Sequence, residues 1–173
     1  FWKKHLDHYD DFYRQIAPAP WYGSTFISRP YIDFLDKTKA ESQFEKLKRL
    51  WENKNLLIVE GATSRSGVGN DLFDQALSIK RIVCSSHCAY KDVDAIESTI
   101  RKYADNHLIL IMLGPTAKVL VANLAKDGYQ ALDIGHIDSE YEWLKMGATT
   151  KVKLKHKHTA EYNFDQDIEF IED

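Results

Sequence analysis

The sequence predicts an α/β fold in which helices cover both faces of a parallel sheet, preceded by an N-terminal helical segment. Between residues 55 and 150, short apolar runs alternate with amphipathic helical patterns, which is the rhythm of strand–helix–strand units. One of these runs, HLILIML, is apolar at every position but its first, as expected of a strand buried on both faces. We expect a single domain made of a helical part, 1–54, a Rossmann-like part, 55–150, and a tail, 151–173.

The helical part contains two amphipathic patterns separated by a break. Large apolar side chains recur at helical spacing near the start of the chain: Phe1, Leu6, Tyr9, Phe12 and Ile16. The stretch APAPWYGS ends that helix, and a short β-prone stretch follows, which Pro30 interrupts. A second helix is predicted over 39–54, with one apolar face formed by Phe44, Leu47, Leu50 and Trp51.

The Rossmann-like part is expected to contain four strands and the helices that connect them. The apolar runs place the strands near 56–60, 81–85, 108–113 and 131–134. The helical patterns fall near 71–79, 92–106, 116–129 and 139–147. In the second of these helices, the inward face would be formed by Ile96, Ile100 and Tyr103. Helical crossovers imply parallel pairing, because antiparallel neighbours need only a hairpin.

Composition narrows the class of protein. Of the 173 residues, 44% are hydrophobic and 28% are charged, as in a soluble globular protein with one core. The net charge of -3 gives no general attraction to nucleic acid, and no apolar run approaches the ~20 residues of a membrane span. Two cysteines, Cys84 and Cys88, are too few for a disulfide framework and indicate a reducing, cytoplasmic compartment. The first residue is not methionine, which predicts a processed chain or a fragment.

A glycine-rich stretch, VEGATSRSGVGND, follows the first predicted strand, at the edge where open parallel sheets bind ligands. Gly67 and Gly69 can adopt positive φ, and Arg65 could hold a phosphate with two hydrogen bonds. Ser66 or Asn70 could cap the next helix, whose N-terminus favours an anion. A glycine-rich turn with a surface arginine is an equally good interpretation. The stretch is neither a P-loop nor a good dinucleotide fingerprint.

The loop after the third predicted strand repeats this arrangement. Gly114 and Pro115 begin a helix, and Thr116 adds a hydroxyl group. Two such helix starts at one edge would favour a diphosphate. The alternative is an ordinary, well-formed helix start.

The loop after the fourth predicted strand is the densest cluster of titratable groups: Asp133, His136, Asp138, Glu140 and Glu142. A histidine near carboxylates can act as a general base or bind a sugar or phosphate. Asp138 and Glu140 have a spacing that could serve a hard divalent cation. If a helix starts near Asp138, then Asp138 and Glu142 share one face. An acidic first turn that suits the helix dipole is the alternative interpretation.

Three stretches in this order resemble a known family: LLIVEG…SRSGVGNDLFDQA, IMLGPTAKVL and GYQALDIGHIDSEYEW. They are similar to the bacterial GT-D fold glycosyltransferases that extend O-linked glycans on serine-rich adhesins. YGSTFISRPYIDF and FEKLKRLWENKNLLIVEG share the resemblance, which therefore covers nearly all of the chain. It implies a GT-D type of Rossmann-like fold, a nucleotide-sugar donor that is usually a UDP-sugar, and a divalent metal, manganese or magnesium. It also implies transfer to a sugar already present on a serine-rich glycoprotein.

The resemblance implies roles for the matched positions. The donor site would be lined by residues of the glycine-rich loop: Glu60, Arg65, Gly67, Gly69, Asn70 and Asp71. The diphosphate would face the second loop: Gly114, Pro115 and Thr116. Asp133, His136 and Glu142 would lie at the reacting end, with His136 and Glu142 as the catalytic residues.

One family feature has no counterpart in this sequence. The family has an N-terminal strand with an Asp-x-Glu motif, in a Phe-Gly-Asp-Gly-Glu context, that helps to hold metal and nucleotide. Either the chain is the C-terminal part of a longer protein, which we favour, or its donor site is incomplete. We expect the chain by itself to bind UDP-sugar and metal poorly, to transfer no sugar, and to self-associate through an exposed edge or apolar groove. Two other functions stay open at this point: a nucleotide-binding module without transfer activity, and an unrelated Rossmann-like oxidoreductase.

Overall fold

The computed structural model describes residues 2–21, 23, 24, 26–159, 162 and 168. Within these residues the structure contains one four-stranded sheet, six α-helices and one short 3-10 helix. The elements in chain order are α1 (Trp2–His8), α2 (Asp10–Ile16), α3 (Ala40–Lys48), β1 (Asn55–Gly61), β2 (Ser78–Cys84), the 3-10 helix (Ala89–Asp92), α4 (Val93–Tyr103), β3 (His107–Met112), α5 (Pro115–Lys126), β4 (Ala131–Asp133) and α6 (Ile137–Met146). None of these helices is long and apolar enough to cross a bilayer.

All strand pairs are parallel, which confirms the predicted sheet. The strand order is β2-β1-β3-β4, so β1 and β3 lie in the centre. Val59 of β1 lies opposite Ile82 of β2 and Ile111 of β3. Because parallel strands end at the same edge, the four loops that follow them meet there.

Two apolar layers cover the sheet, one on each face, as predicted. Helices α3 and α6 form the first layer, which contains the fully buried Trp51 and Trp143. Helices α4 and α5 form the second, through residues such as Ile100 and Leu120. Successive residues of β3 alternate between the two layers, and this is why the strand is apolar throughout. Burying one such side chain contributes roughly 1.5–3 kcal/mol relative to leaving it exposed.

The helix predicted over 71–79 does not form. Turns occupy this segment, and β2 begins at Ser78. Backbone groups that a helix would need are bonded elsewhere: the Leu72 carbonyl accepts from Trp51 Nε1 at 2.9 Å, and the Gln75 carbonyl accepts from the Asn53 amide at 2.8 Å. The crossover from β1 to β2 is therefore made of turns anchored on the segment before β1.

The β-prone stretch around Pro30 also forms turns rather than a strand. The amides of Tyr31 and Ile32 each donate to Glu140 Oε2 at 2.9 Å, so a buried carboxylate replaces a neighbouring strand as their acceptor. In α4, Ile96 and Ile100 are buried as predicted. Tyr103 is 50% exposed, so its predicted inward position is wrong. It is the last helical residue of α4.

Candidate active site

A cavity of about 780 Å³ opens at the carboxyl edge of the sheet, where the sequence predicts the ligand site. The loops after all four strands contribute to its wall, together with part of the segment before α3 and one tail residue. Its charged and imidazole side chains are Arg29, Lys118, Asp133, His136, Asp138 and His158. The volume is typical of a site for a cofactor or a small substrate.

Five of the predicted site residues line this cavity: Gly114, Pro115, Thr116, Asp133 and His136. Gly114 precedes α5 with φ 53° and ψ -137°, a conformation that an L side chain would strain. A Cβ atom built there would have nothing within 4 Å, so the backbone conformation and not a lack of space calls for glycine. Pro115 occupies the first helical position, as predicted.

Two cations on the cavity wall were missed by the sequence analysis. Lys118 Nζ lies 3.1 Å from Asp133 Oδ2, and its side chain is 73% exposed. The other oxygen of Asp133 accepts the Gly135 amide at 3.2 Å. Arg29, in the segment before α3, also lines the wall. Its Nη1 lies 3.2 Å from Asp33 Oδ2. Lys118 could have been identified from the sequence because it lies one turn into α5. The first turn of this helix lies at the carboxyl edge of the sheet.

Gly61, Thr63, Ser64 and Ser66 of the glycine-rich loop line the cavity, and a buried carboxylate holds the loop in shape. Glu60 is buried, and its Oε2 accepts the Ser66 amide at 2.8 Å. Its Oε1 pairs with the Arg81 guanidinium, which also donates to the Ser66 carbonyl at 2.8 Å. Glu60 therefore stabilises the shape of the loop and the pairing of β1 with β2.

Two donors of this loop, the Gly67 amide and the Asn70 side-chain amide, already have acceptors. The Gly67 amide donates to Asp138 Oδ1 at 2.7 Å. Asn70 Nδ2 donates to Asp138 Oδ1 at 2.9 Å and to Glu142 Oε1 at 2.7 Å. Gly69 has φ 80° and lies outside the cavity lining. The carboxylates of Asp138 and Glu142 in α6 therefore accept the hydrogen bonds that were predicted to go to an anionic ligand.

Lys157 from the tail completes this group of side chains. Its Nζ lies 2.8 Å from Glu142 Oε1 and 3.1 Å from Asp138 Oδ2, and the Lys157 and Asp138 side chains are both only 8% exposed. Asp138 and Glu142 share one face of α6, as predicted. We call Asn70, Asp138, Glu142 and Lys157 the Lys157 cluster; of the four, only Asp138 lines the cavity.

Asp71 belongs to a separate ion-pair network on α3 and α6. Its Oδ2 lies 3.0 Å from Lys48 Nζ, and its Oδ1 accepts from the Tyr141 hydroxyl at 2.9 Å. The hydrogen bond from Lys48, with those from Tyr141 and Lys145, holds the pKa of Asp71 well below its usual range. This carboxylate stays ionised and ties the crossover to the helices.

The tail lies against the glycine-rich loop. The Arg65 guanidinium lies 3.5 Å from the His156 carbonyl. Arg65, which was predicted to bind a phosphate, is therefore directed towards the tail. The His158 amide donates to the Thr63 carbonyl at 2.7 Å, and His158 lines the cavity. The charged tail sequence carries no periodic signal that would have placed His158 there.

Seven predicted site residues therefore lie outside the cavity lining: Glu60, Arg65, Gly67, Gly69, Asn70, Asp71 and Glu142. The prediction assumed that the loop leads into a helix whose N-terminus points at the ligand. That helix does not form. Gly67, Asn70 and Asp71 instead connect the loop to α3 and α6, and Arg65 contacts the tail.

Asp138 and Glu140 do not form the cation site that their spacing suggested. Residues two apart on a helix are related by a rotation of about 200°, so they point to nearly opposite sides of the helix. Glu140 is fully buried on the side of Tyr31 and Ile32, and burial raises the pKa of its carboxyl group. Its Oε1 has no hydrogen-bond partner among the described residues.

A divalent metal finds no ready set of ligands in this part of the protein. Across the described residues, no group of three or more His, Cys, Asp or Glu side chains is placed to hold an ion. Asp138, the buried carboxylate of the wall, already accepts hydrogen bonds from Gly67, Asn70 and Lys157. The residues described here thus do not by themselves fit the metal that the resemblance implies.

Comparison with known sequences establishes the family. The sequence model of the family described as "Glycosyltransferase GT-D fold" matches residues 1–162 of this chain. The chain belongs to the GT-D glycosyltransferase fold family. This confirms the resemblance and the fold that it implied.

The curated GT-D relatives are much longer than this chain. It is 71% identical over 173 residues to "Glycosyltransferase GlyD" of Streptococcus pneumoniae serotype 4, and 67% identical to "Probable glycosyl transferase Gly" of Streptococcus gordonii. All of the chain is matched in both cases, but only 21% and 25% of the relatives. The chain therefore spans between a fifth and a quarter of their length.

Solved GT-D structures share the arrangement of this chain over its whole length. The structure described as "A New Glycosyltransferase (DUF1792) from Streptococcus sanguinis" matches with a TM-score of 0.90 and 67% identity, over 100% of this chain and 65% of that one. A second, described as "The highly conserved domain of unknown function 1792 has a distinct glycosyltransferase fold", matches with a TM-score of 0.91 and 62% identity, over 100% and 62% of the two chains.

Proposed function

We propose that the protein containing this chain transfers a sugar from a UDP-sugar to a glycan on a serine-rich glycoprotein, and that the donor binds in the cavity at the carboxyl edge. The main support for this proposal is that Lys118 and the first residues of α5 line the same wall of the cavity. The names of the relatives, both glycosyltransferases, support the reaction class.

The wall at α5 suits the leaving diphosphate. The first amides of a helix have no intrahelical acceptor and, together with the helix dipole, favour an anion. Lys118 adds a full positive charge close by, and it is exposed enough to exchange Asp133 for a phosphate oxygen. Stabilising the charge that develops on the departing nucleotide is the main chemical demand of glycosyl transfer from a nucleotide sugar.

His136 is the residue we assign to the reacting end. It precedes α6 on the cavity wall, beside the strand end that carries Asp133. A neutral imidazole can accept the proton of the acceptor hydroxyl as that oxygen attacks the sugar. Glu142 lies outside the cavity lining, so we assign it a positioning role: through Asn70 and Lys157 it holds α6 against the loop and the tail.

A turnover assay on the full-length protein tests this assignment. We expect His136→Ala to lower kcat for UDP release from its UDP-sugar by about a hundredfold or more, the usual contribution of a general base. His107→Ala, at the opposite edge of the sheet, is the matched control and should keep its activity. A rate for His136→Ala within twofold of wild type would contradict the assignment.

The metal stays a prediction in this account. No group of three or more His, Cys, Asp or Glu side chains among the described residues could hold it. Omitting manganese and magnesium from the turnover assay would show directly whether the full-length protein needs one. The alternative function, a nucleotide-binding module without transfer activity, is favoured if UDP binds but no UDP-sugar is consumed.

We also propose that the protein works in the cytoplasm, where nucleotide sugars are available. Both cysteines are free thiols, with Cys84 partly buried and Cys88 exposed. Burial raises the pKa of the Cys84 thiol, which keeps it protonated and unreactive. Free thiols of this kind are typical of a reducing compartment.

A further inference from the structure

The cavity lies between two walls that belong to opposite faces of the sheet. The first residues of α5, with Lys118, form the α5 wall, and α5 packs in the second apolar layer. His136 and Asp138, at the start of α6, form the α6 wall on the side of the first layer. His158 belongs to the α6 wall, because the tail that carries it is anchored in the first layer by the buried Leu154.

The tail is fixed by specific hydrogen bonds, since it forms neither helix nor strand over 151–158. Trp143 Nε1 of α6 donates to the Val152 carbonyl at 2.9 Å. The Leu154 amide donates to Thr159 Oγ1 at 3.1 Å, and both of these residues are buried. These contacts hold this part of the tail against α6.

The backbone is strained immediately before Lys157. His156 has φ 60°, in the left-handed region that non-glycine residues rarely adopt. Its carbonyl lies 3.5 Å from the guanidinium of Arg65, which has φ 48°. Exposure changes at this point, because Lys155 and His156 are exposed whereas Lys157 is buried. Such strain persists only where surrounding contacts hold it, and it concentrates at functional sites.

Lys157 joins the two elements that carry the imidazoles of the α6 wall. Its Nζ is bonded to two carboxylates of α6, a helix that follows directly on His136. The next residue in the tail is His158, whose amide donates to the Thr63 carbonyl at 2.7 Å. A buried ion pair often stabilises a fold no more than well-packed apolar side chains would. The place of this one beside the cavity therefore indicates a role in positioning.

We propose that His158 contacts the acceptor sugar and that Lys157 is the positioning residue that holds His158 on the α6 wall. This inference rests on the proposed function, in which the diphosphate of the donor lies at the α5 wall and His136 accepts the proton of the acceptor hydroxyl. The acceptor sugar then lies against the α6 wall, where His158 is the second imidazole. A neutral imidazole donates one hydrogen bond and accepts another, which suits the hydroxyl groups of a neutral sugar.

The test compares acceptor binding with donor binding in the full-length protein. The donor is whichever of UDP-glucose, UDP-galactose and UDP-N-acetylglucosamine wild type consumes, and the acceptor is a glycosylated serine-rich repeat protein. We expect His158→Ala to raise the KM for this acceptor about 3- to 10-fold, as for losing one hydrogen bond between neutral groups. The affinity for UDP, measured by calorimetry, should stay within twofold of wild type.

Lys157→Met, which removes the charge but keeps a long side chain, should raise the same KM and leave UDP affinity unchanged. Because Lys157 acts through His158, the double variant should be no worse than the more impaired single variant. Lys48→Met is the matched control, since Lys48 is also buried and paired with a carboxylate but lies outside the cavity lining. It should lower the free energy of unfolding and change neither constant.

His158→Ala leaves the ion pairs of Lys157 intact, so it tests the contact even if Lys157→Met does not fold. An unchanged acceptor KM in His158→Ala, or an equal loss of UDP affinity, would overturn the contact while leaving the proposed function intact. Additive effects in the double variant would overturn the role of Lys157. If wild type transferred no sugar to the acceptor, the proposed function would fail, and this inference with it.

Discussion

At the residue scale, most of the ionisable side chains around the cavity have structural partners. The Lys157 cluster is the clearest case, because one buried ammonium group faces two carboxylates of α6. Asp138 is held by three donors at once, which fixes the only carboxylate that the cluster presents to the cavity. A ligand in the cavity would therefore meet a rigid, preorganised Asp138.

Removing the cation of this cluster should be costly. Lys157→Ala leaves the buried Asp138 and the partly buried Glu142 side by side without this counter-charge, so we expect the free energy of unfolding to fall by about 3 kcal/mol. Lys155→Ala is the control, because this lysine lies two residues away in the same tail and is exposed. Urea denaturation of the two variants measures the difference. Equal free energies of unfolding for the two variants would show that Lys157 does not stabilise the fold through this cluster.

Glu140 predicts a specific pH dependence of stability. Burial raises its folded-state pKa above the value of about 4.3 in the unfolded chain, so the folded state binds the proton more tightly. Its contribution is fully present below the unfolded pKa and is lost as pH rises through the folded pKa. Relative to Glu140→Gln, which cannot ionise, wild type should therefore lose unfolding free energy as pH rises above the unfolded pKa. Urea titrations at several pH values check this; a wild-type advantage that grows with pH would contradict it.

At the element scale, the strands could be predicted and the glycine-rich crossover could not. β1 and β3 are apolar on both faces, so their pattern has one interpretation, and their observed bounds are close to the predicted ones. The segment 71–79 has apolar residues that suit a helix, but hydrogen bonds from Trp51 and Asn53 to its carbonyl groups hold it as turns. Such long-range contacts are absent from any local pattern.

The two glycines of this crossover can be told apart by mutation. A Cβ at Gly67 would lie 2.4 Å from Phe73 Cδ2, whereas one at Gly69 would meet nothing within 4 Å. Both have positive φ, of 77° and 80°, so alanine costs about 1–2 kcal/mol at either position. Gly67→Ala should be the more destabilising because the buried Phe73 ring must also move. Thermal unfolding of both variants tests this, and an equal loss would show that the ring adapts freely.

At the scale of the whole molecule, the edge that holds the site was predictable, but only part of its lining was. The parallel sheet brings the ends of all four strands together, and this placed Gly114, Asp133 and His136 on the cavity wall. Lys118 and Arg29 were missed because a lone basic residue on a helix or in a loop looks like any solvated charge. Arg65 was chosen for its glycine neighbours, yet it is directed towards the tail.

In the proposed function, the diphosphate of the donor binds at Lys118 and not at the glycine-rich loop. Calorimetric titration of UDP into wild type, Lys118→Ala and Arg65→Ala of the full-length protein tests it most directly. We predict that Lys118→Ala weakens binding by roughly 1–3 kcal/mol, as expected for losing a charge-assisted hydrogen bond, and that Arg65→Ala leaves it unchanged. The opposite result, with UDP affinity lost in Arg65→Ala and kept in Lys118→Ala, would contradict the account.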